Sequence, residues 1–225
     1  MSESFIDIIL EYICVFLALL VVFPFHEFAH AFVAVKCGDN TPKINGRLTL
    51  NPLAHFDIMG LLSMLLIHFG WGKPVPINVA NFRHPRRDYF FVSIAGVTVN
   101  LIMSFLVFPL YVLATHYLPE MGYFDEAITY TLFYIYFLGL TSFVFNLIPV
   151  FPLDGFRVLE AATKGRGRVV LFLRKYGQYL LLGLVLLGFL ADRFGLSQLD
   201  ILGNYLTVVV NLVGYPIRLF WGLFF

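Results

Sequence analysis

The chain has 225 residues, 60% of them hydrophobic and 13% charged, with a formal net charge of +1. Soluble domains carry about 25% charged residues, so there is too little polar side chain here to cover a globule, and lipid must be the outer solvent. This excludes a water-soluble protein, and the near-zero net charge gives no reason to expect a nucleic-acid partner.

A spanning helix needs about 20 mostly apolar residues, because the hydrocarbon layer is about 30 Å thick and each residue rises about 1.5 Å. The first such stretch is 8–36. Its start, MSESFIDIILEYICVF, lacks a basic n-region and a cleavage site, so no removable signal peptide is expected. Cys14 and Cys37 form no CxxC pair and no disulfide framework. In TPKINGRLTLNP polar and apolar residues alternate between Pro42 and Asn51-Pro52, which suggests a short strand. Residues 56–70, FDIMGLLSMLLIHFG, are apolar but too few to cross, and read as a re-entrant or interfacial segment. KPVPINVANF is a second extended piece, with Pro74 and Pro76 allowing only an edge strand. The two pieces can form a small β hairpin whose edge accepts a substrate segment, or simply turns.

Further spans follow at 89–115, 126–149 and 176–191, the last helped by Val169 to Leu173. A fifth, 199–217, is interrupted by Asp200, Asn204 and Asn211, which line a water path or bond neighbouring helices. The terminal PIRLFWGLFF reads as an interfacial anchor. Thirteen of the fifteen Lys and Arg residues fall in 36–55, 71–88 and 156–175, whereas 1–11, 116–125 and 192–200 are acidic. By the positive-inside rule the basic segments share the cytoplasmic side, which requires that 56–70 not cross. The expected fold is an all-α polytopic membrane protein. It has about five transmembrane helices, a re-entrant segment and a small β hairpin on the cytoplasmic side, with the N-terminus outside and the C-terminus inside.

Residues 26–30 read His26-Glu27-Phe28-Ala29-His30. Positions four apart share a helix face, so His26 and His30 can reach one metal ion. Glu27 is turned by about 100° and can hold a water instead. Zinc lowers the pKa of a bound water from about 15.7 to about 7, and Glu27 can then act as general base. A charged side chain at mid-bilayer costs at least about 2.5–3.5 kcal/mol, so three such residues in an apolar helix point to function rather than to a histidine satisfied by a neighbouring backbone. Catalytic zinc takes three protein ligands and keeps an open position. Asp154, in Asn146-Leu-Ile-Pro-Val-Phe-Pro-Leu-Asp154-Gly155, supplies the third at the same depth if 56–70 does not cross. Pro149 and Pro152 break the helix before it, and Gly155 permits positive φ or a close approach. In isolation Pro-Leu-Asp-Gly reads equally as a helix-capping turn.

HEFAH, GD-x-TP-x-x-x-GRLTLNPLAHFD, GWGKPVPIN, AG-x-x-x-N and NLIPVFPLDG, in that order between about residues 20 and 160, resemble the site-2 protease family of intramembrane zinc metalloproteases. The resemblance implies one Zn2+ per chain held by His26, His30 and Asp154, with Glu27 as the catalytic acid/base. It implies cleavage of a transmembrane protein substrate in the lipid bilayer, near the cytoplasmic face; oligomeric state stays open. Asn146 is a candidate for holding a substrate strand or the oxyanion, and Asn100 a weaker substrate-binding candidate; both are equally readable as helix-packing groups. His55 reads as interfacial, and His68 and His84 as interfacial or solvated. Family members often have AGP and LDGG where this chain has Ala95-Gly96-Val97 and Leu153-Asp154-Gly155-Phe156; the Phe156 ring is expected to narrow access. The chain looks like the minimal branch without PDZ or CBS domains: one domain over 1–225, with a catalytic core at about 8–160 and accessory helices at about 169–225. The rival readings are a membrane zinc-binding or transport protein and a catalytically silent relative.

Overall fold

The computed structural model describes residues 5–67, 70–119 and 121–225, with residues 61 and 64–67 by backbone alone. His68, and Glu3 and Glu120 of the acidic segments 1–11 and 116–125, lie outside the described residues. The chain runs through α1 (Phe5–Lys36), α2 (Thr41–Ile44), α3 (Ile58–Ile67), α4 (Pro85–Tyr117), α5 (Tyr123–Asn146), α6 (Asp154–Thr163), α7 (Arg168–Arg193) and α8 (Ile201–Trp221). Four of these, α1, α4, α5 and α7, are long and apolar enough to cross a membrane. The protein is therefore a multi-pass helical membrane protein. At 21 residues α8 has the length but carries Asn204, Asn211 and Arg218.

Burial is inverted relative to a soluble fold. Phe16, Leu17, Ile102, Leu106, Leu182 and Leu186 are exposed on the outer faces, whereas His26, His30, Ser93, Asn100, Ser104 and Asp154 are buried. An apolar solvent makes this favourable, because polar groups must then find partners inside the protein. The bundle is built on α1, α4 and α5, which pack on one another. The approach of α4 and α5 is close enough that a Cβ on Gly139 would lie 2.3 Å from Ser104 Oγ. Ser104 donates to the carbonyl of Asn100 or of Tyr136, at 2.9 and 3.0 Å, the small-residue, hydroxyl-bonded packing that apolar solvent favours. On the far side α8 covers Phe108, Tyr136, Leu140 and Val144 with Val210 and Ile217. Arg218 Nη1 donates to Tyr136 Oη (3.2 Å), and Asn211 bonds Thr207 O within its own helix. These polar groups of α8 have ordinary packing and local partners.

The segment between α1 and α4 departs from the expected hairpin. Among the described residues there is no strand, only one antiparallel bridge, Phe56 to Gly72. The stretch read as a first strand opens with the single turn α2. Asp39 accepts from the backbone N–H and hydroxyl of Thr41, and Pro42 sits in the first helical turn, where its missing N–H costs nothing. Among the described residues the second stretch has no partner strand, and it ends in a 3-10 turn, Val79–Asn81. Pro74 and Pro76 have no N–H, and the backbone donors of Lys73, Val75 and Asn78 go to His55 O (2.7 Å), Glu27 Oε2 (3.0 Å) and Asp39 Oδ2 (2.7 Å). A substrate strand arriving here would find those donors committed.

Asp39 thus ties both arms of the loop together. Burial opposes its charge, but donors from Thr41, Asn78 and Asn81 outweigh that and hold its carboxyl below the usual range. At 10 residues α3 is about 15 Å long, half the hydrocarbon thickness. The bridge below it brings residue 72 back beside residue 56, so the segment returns to the place it left. His55 is fully buried, with Nε2 on Thr49 O at 2.8 Å. It shapes this loop.

Candidate metal centre

The site forms where the last third of α1 meets the middle of α4 and the first turn of α6. The helical spacing of α1 turns His26 and His30 to one side, their ring centroids 4.7 Å apart. After α5 ends at Asn146, Pro149 and Pro152 interrupt the helix, and the chain restarts with Asp154 as the first residue of α6. A Cβ on Gly155 would lie 2.3 Å from Leu147 O, so this turn requires glycine for close approach, not for a positive φ. Asp154 is thereby delivered to the histidines from a part of the chain more than 120 residues away.

His26, His30 and Asp154 are all buried, and their ligand atoms lie within 4.8 Å of one another. The nearest atoms form a triangle: His26 Nε2 to His30 Nε2 is 3.1 Å, and Asp154 Oδ2 is 3.3 Å from the first and 3.0 Å from the second. For bonds of about 2.0–2.2 Å in a tetrahedral set, donor atoms stand about 3.3–3.6 Å apart. The three groups therefore fit zinc with a few tenths of an ångström of expansion. Two imidazoles and one carboxylate, with one coordination position left over, are also the donor set of a catalytic rather than a structural zinc.

The surroundings orient each ligand. His30 Nδ1 is 2.7 Å from Val92 O, a carbonyl that can only accept, so Nδ1 carries the proton and Nε2 offers its lone pair. Arg157, one turn along α6, donates to Asp154 Oδ1 at 3.3 Å and leaves Oδ2 toward the histidines. Glu27, next to His26, is half-buried and accepts from Val75 N–H at 3.0 Å. The Phe156 ring is 2% exposed and packs edge-on against Phe151, so it is core and does not project into an opening.

Gly96 makes room for the centre. A Cβ there would lie 2.4 Å from His30 Nε2 and 2.6 Å from His26 Cε1, and His30 cannot retreat without leaving Val92 O. Gly96→Val should abolish zinc binding while helix content is kept. Overpacking of this kind costs about 1–3 kcal/mol, small beside a whole bundle but concentrated on two ligands. Metal analysis with circular dichroism checks it, and a variant with full zinc content would contradict the geometry.

Asn100 and Asn146, read from sequence as substrate-binding candidates, are placed differently. Asn100 is fully buried, with its amide nitrogen 3.1 Å from His26 Nδ1 and 2.7 Å from Ser142 Oγ. Asn146 donates to Ser142 O and Oγ, at 3.1 and 3.2 Å. The roles of Val92 O, Val75 N–H and Gly96 were not read from sequence. Arg157 had a signal, its i+3 spacing from Asp154, and a backbone carbonyl or N–H had none.

The sequence model of Peptidase family M50 matches residues 14–190. The chain is 45% identical over 145 residues to "Putative zinc metalloprotease YwhC" of Bacillus subtilis, covering 64% of this chain and 66% of that protein. It is 33% identical over 139 residues to "Putative zinc metalloprotease Rip2" of Mycolicibacterium smegmatis, and 36% identical over 144 residues to the protein of that name in Mycobacterium tuberculosis. Each of those two matches covers 60% of this chain and 51% of the relative. The chain thus spans between half and two thirds of the length of these relatives. No solved structure matches it.

Proposed function

The chain belongs to Peptidase family M50, the site-2 protease family of membrane zinc metalloproteases, and we propose that it hydrolyses a peptide bond in or near the transmembrane segment of another membrane protein. The observation that carries this is the buried triangle of His26, His30 and Asp154 with Glu27 beside it, inside a helical bundle whose outer faces are apolar. A zinc ion held there supplies Lewis acidity, polarising the scissile carbonyl and acidifying water for attack at neutral pH. The two imidazoles and Asp154 Oδ2 would hold the ion, with Val92 O orienting His30 and Arg157 orienting Asp154. Glu27 takes a proton from the attacking water and delivers it to the departing amine nitrogen as the C–N bond breaks.

A substrate helix has its carbonyls bonded internally, so it must unwind locally before this site can act on it. Five spans, with α8 as the fifth and α3 dipping from and returning to one side, put the basic loops in the cytoplasm. The centre then opens toward the cytoplasmic face, with the N-terminus outside and the C-terminus inside, in the cell membrane. Residues 1–225 act as one domain.

The protein purified in detergent should hold about one zinc per chain. It should cleave a co-reconstituted membrane substrate, lose that activity on chelation and regain it with added zinc. Zinc flux into liposomes without cleavage of any transmembrane reporter would favour the transport reading instead.

A further inference from the structure

We propose that Asn100 is a positioning residue that fixes the tautomer of His26 and so decides whether the site can take a metal ion. The inference rests on the zinc reading above. A neutral imidazole has one N–H and one lone pair. His26 Nε2 faces His30 Nε2 and Asp154 Oδ2, so it must hold the lone pair, and Nδ1 must carry the proton and find an acceptor. For His30 that acceptor is a backbone carbonyl, Val92 O. Among the described residues no carbonyl bonds His26, and its Nδ1 meets the side-chain amide of Asn100 instead.

An amide can present either end. With the NH2 group toward His26, Nδ1 accepts, the proton moves to Nε2, and that N–H points into the place of the ion. In this arrangement Asn100 Oδ1 is buried without a partner, and Ser142 Oγ receives N–H donors from both Asn100 and Asn146. Turning the amide over exchanges two atoms of nearly equal size and places Nδ2, in exchange for Oδ1, at the position without a partner, so the choice between the two orientations rests on the lone pair His26 Nε2 needs. Oδ1 then accepts from His26 Nδ1–H and from the Ser142 hydroxyl, while Ser142 Oγ still accepts from Asn146. The bonds run in one direction, from Asn146 through Ser142 to Asn100, and end on an acceptor aimed at His26. Only this orientation leaves His26 Nε2 free to bind metal.

The placement on α4 supports the role. Val92, Gly96 and Asn100 are spaced by four, so they share one face. That face holds His30 at one end, leaves ring space in the middle and holds His26 at the other. Asn100 is fully buried, so no substrate group reaches it without displacing the histidine it supports.

The test is zinc affinity, measured by competition with a chromophoric chelator on the full chain in detergent. Asn100→Leu keeps the bulk and removes the acceptor, and should weaken zinc binding by about 10–100-fold. Asn100→Asp keeps an acceptor and loses the donor, and should stay within a few-fold of wild type. A merely structural role would not be rescued by Asp and not lost with Leu in this pattern. Asn100→Leu at wild-type affinity, or Asn100→Asp as weak as Leu, overturns the proposal. If the Leu variant does not fold, Ser142→Ala replaces it: a weaker but measurable loss there, with Asp intact, supports the chain of bonds, and unchanged affinity overturns it. Wild-type protein that binds no zinc overturns the metalloprotease reading itself and this inference with it, a result distinct from any difference among the variants.

Discussion

Glu27→Gln should abolish cleavage while the protein keeps its zinc. The substitution is nearly isosteric, and the Gln carbonyl oxygen can still accept from Val75 N–H, now at 3.0 Å from Glu27 Oε2. The loop contact and the packing of α1 therefore survive. What is lost is a group able to take a proton from water and pass it on, a contribution of about 10²–10⁴-fold. Because Glu27 is not one of the three clustered ligand groups, metal content should stay at wild-type stoichiometry. A membrane reporter substrate with metal analysis on the same preparation measures both. Cleavage at the wild-type rate would remove Glu27 from the chemistry and with it the mechanism proposed here.

That the base and the ligands can be separated in this way was legible in the sequence, because five residues on a helix carry their own geometry. A spacing of four sets two rings on one face, and the residue between the turns points elsewhere. The partnership with Asp154 was legible for a different reason. Two prolines closing an apolar run, and basic segments assigned to one side of the membrane, constrained where that carboxylate could lie, and the structure brings it to the two histidines. The segment between α1 and α4 departs from the expected hairpin for an equally physical reason. Pro42, Pro74 and Pro76 look alike as strand punctuation, but Asp39 draws the first into a helical turn, and the other two lie in a segment whose Lys73, Val75 and Asn78 donors are taken by His55, Glu27 and Asp39. Those bonds involve backbone groups, which no residue type announces. The same holds for Val92 O, and for the space beside Gly96, which exists only once α1 and α4 are packed.

Asp154→Ala should lose the metal as well as the activity, and this sets it apart from Glu27→Gln. In the native centre Asp154 supplies the single formal negative charge among the clustered ligand groups, with Oδ2 about equidistant from the two imidazoles. Removing it leaves two neutral ligands, too few for a zinc site that needs three protein donors. It also leaves Arg157, which donates to Asp154 Oδ1 at 3.3 Å, as an unpaired positive charge one helical turn away, opposing any cation that the histidines alone might hold. Groups that merely orient a ligand cost about 10–100-fold in affinity when removed, so loss of the ligand itself should exceed that range. Chelator competition and metal stoichiometry on the purified variant measure the effect. Retention of one tightly held zinc per chain would take Asp154 out of the ligand set. The two variants together divide the site by chemistry: one residue whose loss stops proton transfer with the ion in place, and one whose loss empties the centre, although the second lies more than 120 residues from the histidines it completes.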